Sequence, residues 1–195
     1  MSAASAFSGE YIIPKEESGR FLQLVALIRQ HIQCRCLEVE KHPGLYRWWF
    51  PETEAMKLLA RFKSPMLCNG RTLNERIIDG SPYLALYFGI SGDMSRRIRW
   101  HISGPFKSST LRRTLRAIMV SDADDKTANS MVNQLIDSCY LEWQYTDSME
   151  QAERRETEEL AQKEFAYPLN ISKNDTVPAE WITELKQLRA DLKNK

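Results

Sequence analysis

Three residues are best suited to chemistry in this chain of 195: Tyr87, Arg97 and His101. The stretch from Tyr87 to His101 reads YFGISGDMSRRIRWH, an apolar strand, then a glycine turn, then a short basic helix. Arg97 and His101 are four residues apart, so a helix stacks them one turn from each other on the same flank. The guanidinium is a permanently charged planar fork that matches phosphate oxygens, and the imidazole can move a proton near neutral pH. Facing a strand tyrosine, this pair is equipped to bind and attack a phosphodiester. The plainer alternative is that an arginine and a histidine on an exposed helix flank are a solvated face.

The elements that must position these groups are legible in the pattern. Along Tyr83 to Ile90 the residues alternate. Leu84, Leu86, Phe88 and Ile90 share one face, and Tyr83, Ala85, Tyr87 and Gly89 the other, which predicts that Tyr87 leaves the core face. Ser91, Gly92 and Asp93 offer a turn and a helix N-cap. Met94, Ile98 and Ile102 then form an i, i+4, i+8 apolar stripe. Tyr46 lies in a second predicted strand, HPGLYRWWF, and Tyr140 to Thr146 alternates as a third.

Charge is concentrated rather than abundant. The net charge is +1, yet Met94 to Ala117 holds Arg96, Arg97, Arg99, Lys107, Arg112, Arg113 and Arg116 with no acidic residue. A phosphate backbone would lie along this segment, so Arg96, Arg99, Lys107, Arg112, Arg113 and Arg116 are candidate nucleic-acid contacts. The four cysteines show no C-x2-C pairing and no histidine cluster, which argues against a zinc site. No apolar run is long enough to span a bilayer, and no secretory leader pattern opens the chain, so a cytoplasmic protein without membrane contact is expected.

The chain divides into a flexible N-terminus with a packing helix over 1–40, a domain over 41–175 with an insertion at about 52–81, and a C-terminal helix over 176–195. Within these, Gly19 to Gln33 has helical spacing, Cys36 to Glu40 suits a short edge strand, and Pro51 opens a helix in the insertion. Helices are also predicted over Ser108 to Met119, Asn129 to Cys139 and Ser148 to Phe165. In the last of these, Met149, Ala152 and Leu160 mark a buried stripe on which Glu156 falls, and a carboxylate there needs a partner or a cation.

The ordered set Gly44-Leu45-Tyr46, Tyr87-Phe88-Gly89, Arg97, His101, a later glutamate helix and Asn170 resembles the GIY-YIG nuclease superfamily. The resemblance implies an α+β fold with a small, mainly antiparallel three-stranded sheet flanked by helices, here with helical extensions at both ends. It implies an endonuclease hydrolysing DNA phosphodiesters with Mg2+ or Mn2+, at a site of Tyr46, Tyr87, Arg97, His101, Glu156 and Asn170. Glu156 is the first choice for the metal ligand; the family's interval to Asn170 favours Glu158, and Glu153 is third. Asn170 orders the site. Cutting both strands from a single site per chain would imply a homodimer. The alternative is a catalytically inactive GIY-YIG-fold module that only binds nucleic acid.

Overall fold

The computed structural model describes residues 20–34, 40–62, 72–171, 174–175 and 177–192. Its centre is a curled antiparallel sheet of five strands: β1 Phe21–Leu24, β2 Gly44–Pro51, β3 Asn74–Ile78, β4 Ser81–Ser91 and β5 Tyr140–Tyr145, in the order β1-β5-β2-β4-β3. The helices are α1 Val25–Gln33, α2 Glu52–Leu59, α3 Met94–Ser103, α4 Thr110–Met119, α5 Asp125–Asp137, α6 Gln151–Glu164 and α7 Ala179–Asp191. None of the described helices is long and apolar enough to cross a membrane.

The α+β class is as expected, but among the described residues the sheet has five strands rather than three. Two short edges account for the difference. Phe21–Leu24, read as the start of a helix, pairs with β5, and Phe21 stacks on Trp143 with ring centroids 5.2 Å apart. Four residues are too few for period 2 to be told from a helical apolar run. The other edge, β3, comes from the insertion and forms a hairpin with β4. Asp79 and Gly80 make its turn, both at positive φ, the conformation that such hairpins favour. The predicted strand from Cys36 lies outside the described residues, apart from Glu40, which is not in a strand.

Alternation along β2 sends Tyr46, Trp48 and Phe50 into the main core, which α1, α3, α4, α5 and α7 cover, while Leu45 and Trp49 pack with Phe88 and Tyr167 on the opposite face. The stripe Met94, Ile98 and Ile102 is buried in the main core. Short oxygen side chains start the helices around the site: Asp93 accepts from the Arg96 N–H, Ser109 from Arg112, and Asp124 from Lys126 and Thr127.

Strand β4 departs from its predicted alternation. Trp48 pairs with Tyr87 but Trp49 with Ala85, so Leu86 is an extra residue, a β-bulge. The bulge shifts the phase. Leu84, Leu86 and Tyr87 all reach the main core, and Ala85 and Phe88 take the other face. Tyr87 is therefore on the core side with Tyr46, not on the opposite face as strict alternation would have it.

Past Ala85, β3 no longer pairs with β4, and the loop after α6 takes over that edge. The Leu169 N–H donates to the Leu86 carbonyl at 3.0 Å. The Asn170 side chain acts as a strand partner for Phe88, accepting its N–H at 3.1 Å and donating to its carbonyl at 2.8 Å. Asn170→Ala would leave both buried groups unpaired, so chemical denaturation should show a loss of roughly 2 to 4 kcal/mol. A loss below about 0.5 kcal/mol would mean that water replaces the amide at this edge.

Candidate active site

Strand pairing places the first tyrosine against the second glycine. Tyr46 is opposite Gly89, and a Cβ at Gly89 would stand 2.6 Å from the Tyr46 hydroxyl oxygen. A Cβ at Gly44 would meet the Gln144 carbonyl at 2.6 Å and Met94 Cγ at 2.7 Å. Each of these glycines leaves room that any side chain would fill: Gly89 for a phenol, Gly44 for the approach of α3 to the sheet.

A hydrogen-bonded chain runs inward from the sheet. Tyr46 Oη lies 3.1 Å from His101 Nε2, and His101 Nδ1 lies 2.7 Å from Ser109 Oγ. That same oxygen caps α4 by accepting the Arg112 N–H at 3.1 Å. Tyr87 completes the cluster, its ring centroid 5.7 Å from that of His101 and 6.2 Å from that of Tyr46. His101 is 0% exposed; the flank that could have been solvated is sealed.

Burial governs the protonation of this cluster. It lowers the His101 pKa to about 3, with Arg97 and then Arg112 adding to the effect, so the ring is neutral near pH 7. Burial also raises Tyr46 well above the ordinary phenol range and raises Tyr87, while the Arg97 charge pulls both back. Between its ordinary value of 6.5 and about 3, His101 binds a proton unfolded but not folded. Stability therefore falls as pH drops through this window, by about 1.4 kcal/mol per pH unit from this residue. Urea unfolding at pH 7, 6, 5 and 4 should show a shallower pH slope for His101→Gln than for the parent. Equal slopes would show that the ring is not held neutral.

The cluster opens into a cavity of about 680 Å³ whose lining includes Tyr46, Tyr87, Gly89, Arg97, Arg113, Arg155, Glu158, Glu159, Asn170 and Arg189. Arg97 is the one member of the predicted arginine–histidine pair that faces this space, and its Nε is buried with no hydrogen-bond partner among the described residues.

The carboxylate at the cavity is not the first choice. Leu160, expected on the buried stripe of α6, is 56% exposed, and Glu156 is exposed and does not line the cavity. The one fully buried side chain of α6 is Gln162. One turn before it stands Glu158, and Arg155 is three residues earlier still, so the inward face is polar. Glu153 is spent at the helix start, where its side chain accepts the Glu150 N–H in a capping box.

The basic residues separate into different roles. Arg112 is 1% exposed and donates to the Ile102 carbonyl, Asn133 and Asn129, fastening α3 to α5. Its pKa falls to about 10, chiefly through burial. A guanidinium enclosed in this way has no face for a phosphate, which corrects its reading as a nucleic-acid contact. Arg116 pairs with Asp125 at 2.5 Å. Arg96 and Arg99 line a separate shallow cleft with Trp100, Arg96 lying 5.0 Å above the Trp100 ring. Lys107 is exposed.

Sequence reasoning misses Ser109 as a partner of His101, although the helix predicted from Ser108 places it in the first turn. It also misses Arg155 and Arg189. The spacing of Arg155 to Glu158 was a usable signal; nothing local marks Arg189, which reaches the cavity because α7 packs on α4.

Comparison with curated proteins and with solved structures gives no match. The family model described as the GIY-YIG catalytic domain matches residues 44–191, from the glycine of the first motif strand to the end of α7, and the chain belongs to this family.

Proposed function

We propose that the chain is a divalent-cation-dependent endonuclease that hydrolyses DNA phosphodiester bonds in this cavity. The observation that carries the reading is the convergence of Tyr46, Tyr87 and Arg97 on a space that Glu158 also lines. A module that only binds would need the arginines but not a buried tyrosine–histidine–serine chain behind them.

The donors at the cavity fit a hard cation. Glu158 offers carboxylate oxygens at the cavity, and the described residues bring no three His, Cys, Asp or Glu side chains together as a metal site. Magnesium binds with one or two carboxylates, keeping waters and taking phosphate oxygens. Glu158 would hold it, and a bound cation supplies positive charge against the charge that develops on the phosphate.

The chain's own residues do the rest. Arg97 takes the non-bridging oxygens of the scissile phosphate with its fork. Tyr46 first loses its phenol proton to solvent in the cavity it lines, and the phenolate then accepts a proton from the attacking water as general base, while Tyr87 orients that water. The two tautomers of His101 are not equivalent. Protonation of His101 by Tyr46 would make a buried imidazolium, which the pKa of about 3 opposes. With Ser109 donating to Nδ1 instead, Nε2–H donates to the Tyr46 oxygen and stabilises the phenolate. His101 is then a positioning residue, and its N–H works against the rise that burial imposes on the phenol.

The direct test is incubation with supercoiled plasmid in Mg2+, in Mn2+ and in chelator. Nicking or linearisation in either cation and not in chelator is the expected result. Salt-sensitive binding with no cutting of plasmid, linear duplex or single strand would overturn it.

A further inference from the structure

Helix α7 contributes cationic side chains to the site as well as apolar ones to the core. Trp181, Ile182 and Leu185 are buried in the core, and the Trp181 indole N–H donates to the Pro168 carbonyl at 2.9 Å. Its later turns present Lys186 and Arg189. These two, with Arg113 of α4 and Ala190, line a concavity of about 190 Å³ that contains no acidic residue. Arg113 and Arg189 also line the main cavity, so the two spaces share a wall.

The three arginines of α4 behave differently. Arg112 donates through both terminal nitrogens to α3 and α5, and Arg116 pairs with Asp125. The Nε of all three is buried without a hydrogen-bond partner among the described residues, but Arg113 alone of them has neither an ion pair nor a side-chain hydrogen bond there. Arg189 is likewise without an ion pair there, and it lies close enough to Arg113 for the two charges to repel; burial and this repulsion both lower its pKa. Guanidinium groups held together in a partly desolvated notch raise the free energy of the empty protein, and an anion between them relieves it.

We propose that Arg113, Lys186 and Arg189 form a second phosphate subsite, which holds the DNA backbone next to the phosphate that Arg97 takes. This rests on the phosphodiester reading of the main cavity. A nucleic-acid strand is the ligand that presents regularly spaced phosphates to two adjoining basic spaces.

The test is DNA affinity measured across a series of salt concentrations, with chelator present, using a duplex oligonucleotide. The proteins are the parent, Arg189→Lys, and the double variant Lys186→Gln with Arg189→Gln, whose glutamines retain helix propensity and part of each stem. The logarithmic salt slope should fall by about 1 for each phosphate contact removed, thus by about 2 in the double variant, with weaker binding at low salt. Arg189→Lys should keep the parental slope, which shows that lost charge and not lost folding is responsible.

If the double variant keeps the parental slope, or Arg189→Lys loses as much as the double variant, the subsite is overturned whether or not the parent cuts plasmid. If the slope falls as expected but the parent never cuts, the subsite stands and the nuclease reading fails. A parent with no salt-dependent affinity overturns both.

Discussion

Tyr46→Phe should cleave DNA about 10²- to 10⁴-fold more slowly than the parent, the range that a positioned general base contributes, while still binding it. The change deletes one oxygen, the one 3.1 Å from His101 Nε2 and beneath the space left by Gly89. The ring remains packed in the core, and the arginines at the cavity are untouched. His101 loses its partner on one side, so a stability loss of about 1 to 3 kcal/mol accompanies the change. Single-turnover nicking, measured well below the unfolding transition, separates the two effects. A rate within about threefold of the parent would remove Tyr46 from the base role and leave Tyr87 as the remaining buried phenol of the cluster.

Glu158→Gln and Glu156→Gln should differ sharply although the residues are two apart. Glu158 faces the cavity with Arg155 and Gln162, whereas Glu156 is exposed. Replacing the Glu158 carboxylate by an amide removes the negative charge that would hold the cation. Cleavage should fall by more than about 10²-fold at fixed metal, since a bound cation contributes several kcal/mol to transition-state stabilisation. Glu156→Gln should remain within about twofold, as for other exposed helix positions away from a site. A metal titration of the cleavage rate checks both, and Glu158→Gln should need more cation for half its maximum. Loss in Glu156→Gln with retention in Glu158→Gln would return the ligand to the outer face of α6.

The sequence by itself determined the turn and helix from Ser91 to His101, and it marked HPGLYRWWF as a strand without saying which strand it pairs with. Glycine turn, capping aspartate, apolar stripe and the four-residue interval from Arg97 to His101 are all local, and local geometry carries them into the structure unchanged. The same holds for the caps of α4 and α5 and for the strand from Tyr140.

Tertiary structure decided four matters that no local pattern contains. The Leu86 bulge brings Tyr87 to the side of Tyr46, because a one-residue slip in strand pairing leaves no mark on a strictly alternating sequence. Glu158 rather than Glu156 reaches the cavity because α6 buries a glutamine instead of an apolar stripe, leaving hydrophobic spacing with nothing to follow. Arg112 became a brace and Arg113 a wall of the site, a division set by which side of α4 meets α5 and which meets α7. Lastly, Arg189 joins residues about ninety positions earlier through helix packing alone, since proximity across such a separation comes from the assembled core and not from spacing along the chain.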